Sequence, residues 1–331
     1  MTRRRFIATG AAFLAWPYAA RAQPTRSYKL AIVHPDRSVE LMTKEKSPNF
    51  KAFFEELSKS GFVEGRNLVV QRFDGGGVST NYSKTAADAV TWQPDVIMSV
   101  SDRMTKLLKD STATIPIVAM TSDPVAYGLA GSLSHPGGNV TGIMVNSSPK
   151  IFGKRIEYLR EIAPDTRGVF QLTSRTLWES PLGASVRAAV ERDGLQLVGP
   201  PVESPHRELQ YRTAFAAAAQ QTRTALVTTA VENFNNMDLI IRLMNQFCIV
   251  AFYPFREYVE KGGLIGHDIN LVDLNAHVGQ QVSQVLKGED VGSIPFYQPL
   301  RLKLLINLAS ATASGIKVPA SLLARADEVI E

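Results

Sequence analysis

One order of elements, strand–helix–strand–helix–strand, runs through this chain twice at nearly constant offset. Apolar, β-branched runs mark the first set: KLAIVH (29–34), NLVVQRF (67–73), DVIMSV (95–100), IPIVAM (115–120) and GNVTGIMVN (138–146). The order restarts with GVFQLT (168–173), LQLVGPPV (195–202), ALVTTA (225–230), CIVAFYP (248–254) and GLIGHD (263–268). Matching strands lie about 139 residues apart (30 and 169), about 130 (95 and 225) and about 133 (115 and 248). Helical spacing fills the gaps, as at 48–60, where Phe50, Phe53, Phe54 and Leu57 share one side before Gly61. Short buried strands alternating with amphipathic helices predict parallel sheets covered on both faces. The fold class is therefore α/β, in two lobes with a cleft between their strand C-terminal ends.

Beyond Asp268 the order changes. A helix is expected over 271–288, then a strand-like run and short helix in FYQPLRLKLLINL (296–308), then a last turn or helix near SLLARADEVIE. A late return to the first lobe gives several crossings between lobes, and several short crossings make a hinge. The expected bodies are 28–146 plus about 271–292, and 147–270 plus about 296–331.

The first 22 residues read as a leader. Arg3, Arg4 and Arg5 precede a short apolar core at 6–16, and Ala20-Arg21-Ala22 is a small-x-small cleavage pattern before Gln23. Thr2-Arg3-Arg4-Arg5-Phe6 also fits a twin-arginine signal, so Sec and twin-arginine export both stand. Either route carries the mature chain out of the cytoplasm, to the periplasm. The leader also accounts for most of the net charge of +5, because without it 32 basic residues face 31 acidic ones. A body near +1 argues against a nucleic-acid partner, which would want a clustered basic face.

Signatures of chemistry are missing. None of His34, His135, His206, His267 and His277 pairs with another at metal-ligand spacing. There is no Gly-x-Ser-x-Gly, no phosphate loop and no GxGxxG. The sole cysteine, Cys248, reads as a small buried hydrophobe in CIVAF. No cofactor, no metal, no catalytic set and a monomeric chain are the expectations.

Several stretches carry a resemblance that spans essentially the whole chain. They include GFVEGRNLVVQ (61–71), SDPV…GLAGSLSHPGGNVTG (122–142), KRIEYLREIAP (154–164), YPFREYVEKGGLIG (253–266) and the terminal INLASATASGIKVPASLLARADEVIE. Together, in this order, they resemble the ABC transporter substrate-binding family related to the tryptophan/tyrosine-type binding proteins. The resemblance implies the type I periplasmic-binding-protein architecture of two Rossmann-like lobes. It implies a small-molecule ligand, amino-acid-like or aromatic, handed to an ABC permease and ATPase in the inner membrane. A periplasmic sensing subunit that docks on a receptor would use the same cleft.

Ligands of such folds sit where strands end. That nominates His34 and Asp36, Ser101 and Asp102, and Thr121 and Asp123 in the first lobe. In the second it nominates Thr173 and Ser174, Glu232 and Phe234, Tyr253 and His267. Plainer roles stand beside these: Asp102 as a helix cap, Asp123 as a turn former before Pro124, Glu232 as a solvated acid, Tyr253 as core. Relatives usually carry Gly-Thr-Pro where this chain has Ser101-Asp102-Arg103, which puts an anion site there in doubt. The acids among the nominees point to a ligand with a positive or hydrogen-bond-donating group.

Overall fold

The structure is a computed structural model that describes residues 26–145, 151–299 and 302–331. The leader and its cleavage position after Ala22 lie outside the described residues. The first lobe runs β1 (Tyr28–His34), α1 (Pro48–Lys59), β2 (Leu68–Asp74), α2 (Tyr82–Thr91), β3 (Val96–Val100), α3 (Asp102–Ser111), β4 (Ile117–Thr121) and β5 (Val140–Met144). Its sheet has the order β2-β1-β3-β4-β5 and is parallel throughout.

The second lobe opens with α4 (Ile151–Ile162), β6 (Gly168–Leu172), α5 (Arg175–Trp178), α6 (Pro181–Arg192) and β7 (Gln196–Val198). It continues with α7 (Glu208–Ala219), β8 (Thr224–Val227), α8 (Val231–Asn235), α9 (Met237–Gln246), β9 (Val250–Tyr253), α10 (Arg256–Glu260) and β10 (Ile265–His267). The chain then returns to the first lobe as α11 (Leu271–Leu286), which packs on α1 and on the β3–β5 side of the sheet. It ends in the second lobe with β11 (Leu304–Asn307), α12 (Leu308–Ala313), α13 (Ala320–Leu323) and β12 (Glu328–Ile330). The second sheet has the order β12-β11-β10-β9-β8-β6-β7.

Strand alternation builds two cores per sheet, because successive side chains point to opposite faces. In the first sheet Leu30, Ile32, Met98 and Val118 face one side with Phe50, Phe53, Val278 and Val282 from α1 and α11. Ala31, Val33, Ile97 and Ala119 face the other with Tyr82, Ala86, Met104 and Leu108 from α2 and α3. In the second sheet Phe170, Leu172 and Ala225 pack with Tyr211, Phe215 and Ile240, while Val169, Leu226 and Phe252 pack with Ile156, Leu159 and Val186. Helix starts are set locally: Ser47 Oγ accepts from Phe50 N at the head of α1, with Pro48 at its first position.

Three expectations are corrected. The second sheet is not wholly parallel, since β10 and β11 pair antiparallel. The chain re-enters this lobe from the cleft side, at the strand C-terminal ends, so β11 must run backwards beside β10. Phe296 and Tyr297 remain with the first lobe, where Phe296 N donates to Leu133 O and Tyr297 bridges Ile143. Asn236 separates α8 from α9, and its side chain bonds to the carbonyls of His206 and Glu232. Cys248 is exposed in a left-handed turn at φ 51°, because the strand begins only at Val250.

Candidate functional site

The lobes enclose a cavity of about 390 Å³ walled by both. That is the size of a small-molecule pocket. Aromatic and apolar side chains dominate the wall: Phe50, Tyr82, Tyr127, Phe234, Phe255 and Leu177 among them. Phe234 and Phe255 meet edge to face, 5.8 Å between centroids.

The first-lobe floor is built by the β3–α3 junction. Ser101 follows β3 at φ 79° and ψ 147°, a region that side chains other than glycine's rarely enter, and caps α3 by accepting from Met104 N at 3.3 Å. Asp102 comes next and is buried. Its Oδ1 accepts from Ser122 N (2.9 Å) and Asp123 N (3.4 Å), and its Oδ2 from Ser122 Oγ (2.5 Å) and Ser122 N (3.2 Å). Burial pushes the Asp102 carboxyl above the usual carboxylate range, against the pull of the Ser122 bonds. Asp102 thus ties α3 to the loop after β4. His34, at the end of β1, is held neutral: burial, helped by the Arg37 charge, lowers it to about 3, and its Nδ1 accepts from Asp36 N at 3.1 Å.

Second-lobe residues supply the opposite wall. Ser174 caps α5, and its Oγ accepts from Leu177 N at 3.4 Å. Glu232 stands in the first turn of α8, half-buried, and burial raises its carboxyl. The charges that act on it are His206, Asp36 and Arg103, none of them within ion-pair distance of 4.0 Å. Bonds join the lobes across the mouth: Arg103 Nη1 donates to Thr176 Oγ1 at 3.2 Å, and Asn235 Nδ2 donates to the Asp36 carbonyl. The Arg103 guanidinium also lies over the Tyr82 ring, 5.5 Å from its centroid.

Of the nominated residues, His34, Ser101, Asp102, Thr121, Ser174, Glu232 and Phe234 are brought together on this wall. The other five are placed elsewhere. Asp36 offers its carbonyl to Asn235 and its carboxylate to the space beside Gly77. Asp123 Oδ1 accepts from Ala126 N at 3.0 Å, forming the turn. Thr173, the residue after β6, is wholly buried, and its carbonyl accepts from Val202 N at 2.8 Å. Tyr253 stacks on Tyr258 in the core, 5.1 Å between centroids. His267 is buried beside Phe252, at 4.7 Å, and accepts from Arg155 Nε at 3.4 Å; burial and the Arg155 charge lower it to about 2.

Strand-end reasoning passed over several wall residues. Phe50, Tyr82 and Leu177 lie within the first three residues of their helices, so reading into each helix start finds them. Leu271 and Asn275 come from α11, and nothing local in the sequence brings a helix after Asp268 back to the first lobe's floor.

Comparison with known proteins gives consistent answers. Residues 47–330 match the sequence model of a family described as "ABC transporter substrate binding protein". A tyrosine-binding protein of Clostridioides difficile is 23% identical over 260 residues, covering 78% of this chain and 73% of that protein. Among solved structures, a conserved domain protein from Vibrio cholerae superposes with a TM-score of 0.78 at 22% identity, over 92% of this chain and 100% of the other. An ABC domain in complex with L-Trp from Streptococcus pneumonia superposes at 0.76 with 19% identity, over the same shares.

Proposed function

This chain belongs to the ABC transporter substrate-binding proteins, and on that footing we propose that it is the periplasmic binding component of an importer for a small amino-acid-like or aromatic compound. The observation that carries the reading is the cavity itself, walled by both lobes and bridged at its mouth by Arg103 and Asn235. Relatives named for tyrosine or holding L-Trp support the ligand class. The apolar wall supplies most of the affinity by removing ligand surface from water, at about 25 cal/mol per Å². Polar groups fix its orientation.

The mechanism is closure of the body 28–146 with 271–297 upon the body 147–270 with the chain from 304 onward. A ligand that touches both lobes favours the closed state by its differential affinity, and closure creates the surface that a permease and its ATPase distinguish from the open one. The leader delivers the chain to the periplasm. Binding requires no turnover, so the compound leaves unchanged.

A thermal-shift screen of the chain from Gln23 onward against amino acids, arylalkylamines, polyamines, aromatic acids, sugars and small peptides tests this. A hundredfold excess over the dissociation constant stabilises the native state by about 2.7 kcal/mol. One class is expected to raise the melting temperature and to be recovered intact. No shift from any class removes the importer reading, and conversion of the compound removes the binding-without-turnover reading.

A further inference from the structure

Six acidic, basic or imidazole residues line the cavity: His34, Arg37, Asp102, Arg103, Lys106 and Glu232. Their partners decide what is left for a ligand. His34 is neutral, with its Nδ1 already occupied by Asp36 N. Lys106 Nζ grips both oxygens of Asp110, one of them at 2.6 Å. Arg103 is exposed at the mouth and engaged by Thr176 and the Tyr82 ring. Arg37 stands where the cavity gives onto an outer groove and donates from Nη1 to Ser47 Oγ at 3.4 Å.

Asp102 is the informative case. The amides of Ser122 and Asp123 and the Ser122 hydroxyl converge on one point, as donors would around a ligand's carboxylate. Here the chain's own carboxylate fills that position with four contacts of 2.5–3.4 Å. A second carboxylate brought to this floor would meet spent donors and a like charge. Across the cleft, Glu232 has the opposite status. Among the described residues no side chain hydrogen-bonds it and no cation pairs with it, although Phe234, Phe255 and Tyr82 wall the space beside it. A carboxylate in such a place gains most from a protonated amine that arrives with the ligand.

Resting on the importer reading above, we propose that the ligand is an arylalkylamine: an aromatic body in the apolar pocket, its ammonium on Glu232, and no α-carboxylate. Glu232 is then the residue that reads charge. Asp102 is the residue that discriminates against α-amino acids, by occupying the donors their carboxylate would need.

Isothermal titration of the mature chain with tryptamine, tyramine, L-Trp, L-Tyr and indole-3-propionate tests this. The amines are expected to bind at least tenfold tighter than the matching amino acids, and indole-3-propionate weakest. Glu232→Gln should weaken amine binding at least twentyfold while indole-3-propionate binds no worse. Asp102→Thr, which frees the Ser122 and Asp123 donors, should narrow the gap between amine and amino acid. The comparison on the unmodified chain requires no variant, so a folding defect in either one leaves the test intact. Amino acids binding as tightly as the amines, or Glu232→Gln changing amine affinity less than twofold, overturns the inference. If none of the five binds while another class shifts the melting temperature, the arylalkylamine is wrong and import stands; if no class shifts it, import itself falls.

Discussion

At the residue scale, the two buried histidines make stability depend on pH in a definite direction. His34 and His267 are neutral when folded, lowered to about 3 and about 2, against 6.5 for a free side chain. Each takes up a proton only on unfolding once the pH drops below 6.5, so acid favours the unfolded chain over the window from about 6.5 down to those values. At pH 4.5 each contributes at most about 2.7 kcal/mol of destabilisation. Urea unfolding at pH 7 and at pH 4.5 should show the loss, and His267→Gln should reduce proton uptake on unfolding by about one. An unchanged pH slope in that variant would contradict the neutral assignment. The same residues show how far a sequence reaches. His34 and His267 both end strands, and nothing in their neighbours along the chain separates them. His34 meets the cavity, whereas His267 turns to the opposite face of its sheet, against Phe252 and Arg155.

At the element scale, packing distance rather than periodicity controls the less legible parts. The helix over 271–286 is readable from its apolar spacing and from Asn270, which caps it by accepting from Val272 N and Asp273 N. Its partner is not readable. It lies against α1 so closely that a Cβ on Gly279 would stand 2.6 Å from the Phe53 carbonyl oxygen and 3.0 Å from Glu56 Cβ. Gly279→Ala must therefore push two helices apart, despite alanine's better helix propensity. We expect a loss of about 1–3 kcal/mol, measured by denaturant unfolding, with overpacking outweighing the propensity gain. A stabilised variant would show that the contact yields easily. The short β7 belongs to the same lesson: LQLVGPPV looks like eight extended residues, but Gly199 at φ 77° and the prolines after it end the strand at Val198.

At the scale of the whole molecule, the bonds Arg103–Thr176 and Asn235–Asp36 hold the lobes together against the opening that import requires. Arg103→Ala removes one bond and the cover over Tyr82 without touching the sheets. Its expected effects are a larger radius of gyration in small-angle scattering without ligand and a several-fold loss of affinity, because part of the binding energy must then close the cleft. A variant with unchanged scattering and affinity would show that this bond does not bias closure.

The sequence by itself determined the α/β class, the duplication of element order and the two lobes, because these follow from side-chain periodicity and turn residues that act over a few positions. Tertiary structure alone decided that β11 runs antiparallel to β10, that α11 floors the first lobe, and which strand ends face the cavity. It also decided that Asp102 spends its charge on Ser122 and Asp123 while Glu232 keeps its own. The reason is physical: a charged group's availability depends on every donor within about 3 Å, and those donors sit about 20 residues away along the chain, where no local pattern records them.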